Sequence, residues 1–214
     1  MKWSEEIAYA VGLITTDGNL SGDGRHISFV SKDKDQVENF RLALGLKAPI
    51  GLAKSGSGRY YFRVQFSNAV LYRWLISIGL SPNKSKTLGK MDVPENFIPD
   101  FLRGHLDGDG SLYEYNDPRW PKSYLCYTSF VSASKQHVEW LQKIIQSWLN
   151  IHGHITKAQK SSVYQLKYAK KESALLLPAL YYSDTILALS RKRVKATNIL
   201  QKISASGEMV YTQP

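Results

Sequence analysis

The chain has 214 residues, 43% apolar and 21% charged, which suits one large or two small folded units and excludes a collagen, a coiled coil or a disulfide scaffold. Lys and Arg outnumber Asp and Glu by 28 to 18; the resulting charge of +10 has no single basic tail as its source and points to a polyanionic partner. No apolar run approaches the roughly 20 residues that cross a bilayer. A single cysteine, Cys126, makes neither an internal disulfide nor a zinc knuckle, and the first ten residues lack the layout of a secretion leader, so an intracellular protein without a membrane partner is expected.

In chain order, Ser4 reads as a helix N-cap, with Glu5 and Glu6 in the first turn and an apolar run over 7–14 that stops at Asp17-Gly18. A strand over 25–32, a helix over 34–44, strands over 50–54 and 60–67 and a helix over 68–78 follow. Pro99 then suits the first turn of a second helix, which again runs into Asp-Gly, at Asp109-Gly110. After it come strands over 111–115 and 124–132, a helix over 134–149, strands over 153–157 and 163–169, and helices over 170–181 and 191–204. Helix, strands, helix, strands, helix, stated twice, predicts a duplication of about 100 residues. The halves are 1–96 and 97–206; the second carries an extra loop over 116–122, and the tail 207–214 is expected to be disordered.

The strands alternate. Tyr60, Phe62, Val64 and Phe66 are apolar while Tyr61, Arg63, Gln65 and Ser67 are polar or amphipathic; Gln165 and Lys167 interleave with Tyr164, Leu166 and Tyr168; and His26, Ser28 and Lys32 alternate with Ile27 and Phe29. A solvated face explains any one strand. Arg, Lys, Gln, Ser and Tyr recurring in both copies fits contact with base edges and phosphates, since Arg and Gln can each pair bidentately with a purine. Alternation and position nominate Arg25, Ser28, Lys32, Lys54, Arg59, Tyr61, Arg63, Gln65, Thr128, Lys157, Gln165 and Lys167 as the binding faces.

Turn chemistry alone can explain one helix that ends in Asp-Gly. Yet the carboxyl end of a helix repels a carboxylate, so the repeated acid needs compensation. Ala8, Gly12 and Thr16 are spaced by four, as are Gly104 and Gly108, so each helix has a stripe of small residues that allows close packing. Packed along those stripes, the helices bring Asp17 and Asp109 together, and two adjacent carboxylates call for a hard divalent cation such as Mg²⁺. Acids that hold metal beside a phosphodiester suit hydrolysis of nucleic acid. The rival calcium loop fails, because the twelfth position after Asp17 is Ser28 where glutamate is required. His152 and His154 have no third ligand nearby and read as ordinary strand residues.

The segments Ala10-Val11-Gly12-Leu13-Ile14-Thr15-Thr16-Asp17-Gly18 and Leu102-Arg103-Gly104-His105-Leu106-Asp107-Gly108-Asp109-Gly110 resemble the two signature motifs of single-chain LAGLIDADG homing endonucleases. The second is the stronger match; Ala10, Val11, Thr15 and Thr16 depart from the signature in the first. The resemblance implies an α+β fold of two pseudo-symmetric αββαββα units, packed through the motif helices, each with a curved antiparallel sheet for the DNA major groove. It implies a monomer in which Asp17 and Asp109 bind metal, Gly12, Gly104 and Gly108 pack the interface, and both strands are cut across the minor groove to leave short 3′ overhangs. Mg²⁺ is the expected cofactor, with Mn²⁺ substituting and Ca²⁺ supporting binding without cleavage. A basic auxiliary near each acid is also implied: Lys84, with Lys86 behind it, in the first copy and Lys192 in the second. The run Ser190 to Arg193 equally suits a phosphate-contacting patch. Intron or intein mobility is the biological role implied; a non-cleaving DNA-binding regulator and an RNA-binding intron maturase are the alternatives on the same scaffold.

Overall fold

A computed structural model of the chain describes residues 1–54, 56, 58–116, 118–119, 124–157 and 162–205. The expectation for the 207–214 tail lies outside these residues, as does most of the 116–122 loop.

Helix α1 (Glu5–Asp17) begins where the Ser4 hydroxyl accepts the Ile7 amide at 3.2 Å. Strands β1 (Gly18–Leu20) and β2 (His26–Ser31), helix α2 (Lys34–Ala43), strands β3 (Gly51–Lys54) and β4 (Tyr60–Ser67), and helix α3 (Ala69–Ser77) complete the first unit. The second repeats the order with α4 (Ile98–Asp109), β5 (Ser111–Asn116), β6 (Tyr124–Ser132), α5 (Lys135–Leu149), β7 (His154–Thr156), β8 (Tyr164–Ala169) and α6 (Lys170–Leu180), and α7 (Ser190–Ala205) follows. The sheets have matching antiparallel orders, β1-β2-β4-β3 and β5-β6-β8-β7. The result is an α+β fold of two pseudo-repeated units. Strand β1 was not expected, because three residues are too few to show an alternation.

One face of each sheet packs on helices and one is open. Ile27, Phe29 and Val64 in the first sheet, and Cys126, Phe130, Leu166 and Tyr168 in the second, join α1, α4 and the flanking helices in a continuous core. The segment between α3 and α4 is packed rather than slack. Leu80, Leu88 and Met91 are buried, the Ser134 hydroxyl donates to the Leu88 carbonyl at 2.5 Å, and His137 Nδ1 lies 2.8 Å from the Gly89 carbonyl.

Candidate metal centre and nucleic-acid interface

Helices α1 and α4 meet backbone to backbone at Gly12 and Gly104, and the Thr16 side chain fills the space over Gly108. A Cβ added to Gly12 would lie 2.7 Å from His105 N and 2.9 Å from Gly104 Cα; one added to Gly104 would lie 3.0 Å from Tyr9 C; and one on Gly108 would run into the Thr16 side chain. Gly12 opposes Gly104 and Thr16 opposes Gly108 with the same offset, so the helices run parallel and end together. Asp17 and Asp109 occupy those ends; β1 begins directly after Asp17, and Gly110 alone separates Asp109 from β5.

The two carboxylates sense each other. Burial, then repulsion from Asp109, pushes Asp17 up to about 7, against the downward pull of Lys192 and Lys84. Asp109 is more open to solvent, yet desolvation by the surrounding protein raises it as well, opposed by the same two lysines. Lys84 and Lys192 are both buried, and burial lowers each to about 8. Their ammonium groups donate to backbone carbonyls at the helix ends: Lys84 to Gly18, and Lys192 to Leu106, to Asp107 at 2.9 Å, to Gly108 at 3.2 Å and to Gly110 at 2.7 Å. Two lysines thus satisfy helix carboxyl ends that carry no basic residue of their own in the last turn. Lys86, the other candidate of its segment, is exposed.

Among the described residues no group of three or more His, Cys, Asp or Glu could hold a metal ion. A pair of carboxylates is the donor set here. It suits Mg²⁺, which takes one or two carboxylates and completes its shell with water and phosphate oxygens. The mutual repulsion that raises Asp17 is what a bound cation would relieve.

A second acid in the α4 motif has a structural task that the sequence reading did not assign. Asp107 is wholly buried and accepts from Tyr9 Oη at 3.0 Å, Tyr181 Oη at 2.9 Å and the Leu189 amide at 2.7 Å, while its own carbonyl accepts Gln36 Nε2 at 2.7 Å. Burial raises its carboxyl, and these bonds pull it back. The network ties α1, α2 and the start of α7 to the end of α4, which fixes the backbone that delivers Lys192. Its counterpart Thr15 only donates to Val11 in its own helix, at 2.7 Å. The Asp-x-Asp spacing in the sequence was the available signal.

Arg103, inside the same motif, is buried as well. It pairs with Asp100 at 2.6 Å, donates to the carbonyls of Leu187 and Leu180, and stacks over Tyr9 and Tyr182. The Arg/Lys run is committed to the fold too. Arg191 binds Asp33 through both carboxylate oxygens, and Arg193 donates to the carbonyls of Asp184 and Ile186. The basic side chains flanking Lys192 therefore serve internal bonds, Arg191 from an exposed position.

The open faces are set by register. On the first sheet Ser28 lies opposite both Asn19 and Gln65, and Val30 opposite Arg63; on the second, Ser129 lies opposite both Ser111 and Lys167, and Val131 opposite Gln165. Arg63 and Gln65 are exposed, Tyr61 is half-buried, and Arg25, Lys32 and Arg59 are exposed at strand or hairpin ends. Ser111, Tyr113, Tyr127, Ser129, His154, Gln165 and Lys167 line a concavity on the second sheet.

Three nominated residues fall elsewhere. Thr128 is on the core face of β6, fully buried, with its hydroxyl donating to Ser173 Oγ at 2.9 Å, so it cannot reach a ligand on the sheet. Lys54 stands opposite Tyr60 and shares that residue's parity with Phe62 and Val64, which is the packed face. Lys157, next to β7, likewise reaches the Tyr164 ring, at 4.8 Å from the centroid, as Lys54 reaches Tyr60 at 5.6 Å. Both lysines are exposed. Tyr60, expected to pack, is on the same face and is 61% exposed.

The paired parallel helices, with an acid at each adjoining end and an antiparallel sheet on either side, define the LAGLIDADG fold. Solved structures with this architecture include the homing endonuclease I-WcaI bound to its DNA recognition sequence, at 13% identity, with 92% of this chain and 88% of that one covered and a TM-score of 0.66. I-SmaMI bound to an uncleaved DNA target in the presence of calcium ions matches at 13% identity, with 96% and 93% covered and a TM-score of 0.62. Full-length WhiA from Thermatoga maritima matches at 16% identity and a TM-score of 0.58; 99% of this chain is covered, but it spans only 64% of WhiA. No family model and no curated protein matches the sequence.

Proposed function

We propose that the protein is a site-specific endonuclease that hydrolyses both strands of duplex DNA with Mg²⁺ or a similar divalent ion. The observation that carries this reading is the meeting of Asp17 and Asp109 at the ends of two helices packed backbone to backbone at Gly12 and Gly104, with a buried lysine behind each acid. Asp17 and Asp109 would hold the cation. When bound, the metal supplies the positive charge that makes a phosphodiester susceptible to water. Lys84 and Lys192 hold positive charge at fixed positions beside the acids, where it offsets charge developing on the phosphate. The sheets that flow directly from the acidic helix ends give the duplex two polar faces, and the DNA-bound state of I-WcaI and I-SmaMI supports this use of the fold. The alternative of a non-cleaving DNA-binding protein on the same scaffold is less well supported, because both acids and both lysines are present.

Incubating a randomised duplex library with the protein and Mg²⁺, then sequencing double-strand breaks, tests the activity. Asp17→Asn and Asp109→Asn should each abolish double-strand cleavage while Ca²⁺-supported retention of the selected duplex persists. Cutting that is unchanged in both variants would refute the assignment.

A further inference from the structure

The two open faces carry the same pair of chemistries in opposite order. The row nearest the acids holds Gln65 on the first sheet and Lys167 on the second; the next row out holds Arg63 and Gln165. A two-fold rotation about the α1–α4 contact therefore superposes an arginine on a glutamine and a glutamine on a lysine.

The first pair is also internally bonded. Arg63 Nη2 donates to Gln65 Oε1, which holds the two side chains together along the strand. What the Arg63 guanidinium offers a major groove is N–H donors only. Guanine presents two acceptors there, O6 and N7, whereas adenine places an amino donor beside its N7 and needs an acceptor in return. Gln165 is different: its side chain has no partner among the described residues and keeps both the donor and the acceptor that pair with adenine. Lys167, a donor alone, again suits guanine.

We infer that at the outer row guanine faces Arg63 in one half-site and adenine faces Gln165 at the equivalent position of the other. This rests on the proposal that the sheet faces bind duplex DNA.

The test is selection of a randomised duplex library for binding in Ca²⁺, followed by sequencing, for the wild-type chain, Arg63→Ala and Gln165→Arg. The wild-type motif should have two positions equidistant from its centre, one enriched in guanine and one in adenine. Arg63→Ala should lower the guanine enrichment at least about tenfold at its one position. Gln165→Arg, which places the first half's donor on the second sheet, should convert the adenine preference to guanine and make that pair of positions symmetric. A motif already symmetric there, or one that Gln165→Arg leaves unchanged, overturns the base assignment while leaving DNA binding intact. Retention of no duplex at all overturns the binding reading and this inference with it.

Discussion

Gly12 and Gly104 face each other across the α1–α4 crossing with no room for a methyl group on either, because the nearest atoms are backbone and cannot swing away. Alanine at either position must push the helices apart. Gly12→Ala and Gly104→Ala should each cost about 2–4 kcal/mol, at or above the usual range for overpacking, measured by urea denaturation. Gly22→Ala, at a site with nothing within 4 Å of the added carbon, is the control and should change stability little.

Raised to about 7 by burial and by Asp109, Asp17 is an acid that the metal-free fold prefers to keep protonated. Its contribution to stability is fully present below the ordinary carboxylate value of 3.8 and is lost as pH rises through 7. Asp17→Asn should therefore be the more stable protein at pH 8 in chelator, by on the order of 2–4 kcal/mol, and the gap should narrow as pH falls toward 4. Adding Ca²⁺ at pH 8 should raise the wild-type Tm and leave that of Asp17→Asn nearly unmoved. A calorimetric scan at several pH values, with and without the ion, reads all of this.

Arg103 and Asp100 form a buried ion pair that the Tyr182 hydroxyl extends, donating to Asp100 at 2.9 Å. Arg103→Met strands the carboxylate without its cation, at a cost of about 3–5 kcal/mol. Combining it with Asp100→Asn removes the stranded charge and should recover part of that loss. Denaturation midpoints of the two variants decide it; equal midpoints would mean that the ion pair is not the source of the effect.

Lys54 and Lys157 hold corresponding positions beside Tyr60 and Tyr164, exposed and on the face opposite to that of Arg63 and Gln165. A cation there can meet phosphate and not base edges. Binding of the selected duplex should weaken steeply with salt, and each of Lys54→Ala and Lys157→Ala should reduce the slope of log K against log salt by about 1 without changing base preference. A flat salt response, followed by fluorescence anisotropy, would count against a surface that tracks the phosphate backbone.

Much of the architecture was legible in the residues because its signals are local. The Ser4 cap, the two Asp-Gly helix ends and the period-two alternation over Tyr60–Ser67 each sit within a few residues, and the observed elements begin and end within about two residues of those signals. Alternation also has a blind spot: it states parity but not how much of a face the helices cover, and Lys54, Lys157 and Tyr60 are exposed although they share the parity of the packed face. Thr128 is buried on the core face because its hydroxyl has a partner, Ser173, that lies 45 residues away and leaves no mark in the local alternation.

The sequence by itself determined the elements, their duplication, the small-residue stripes and the pair of acids, since backbone propensity and periodicity act over one or two turns. Only the tertiary structure decided which charges are buried and what holds them. Lys84 and Lys192 reach helix carbonyls, Asp107 is clamped by two tyrosines and an amide, and Arg103 is enclosed against Asp100. A charge leaves water only where several distant segments together supply its partners, and a linear pattern cannot state that convergence.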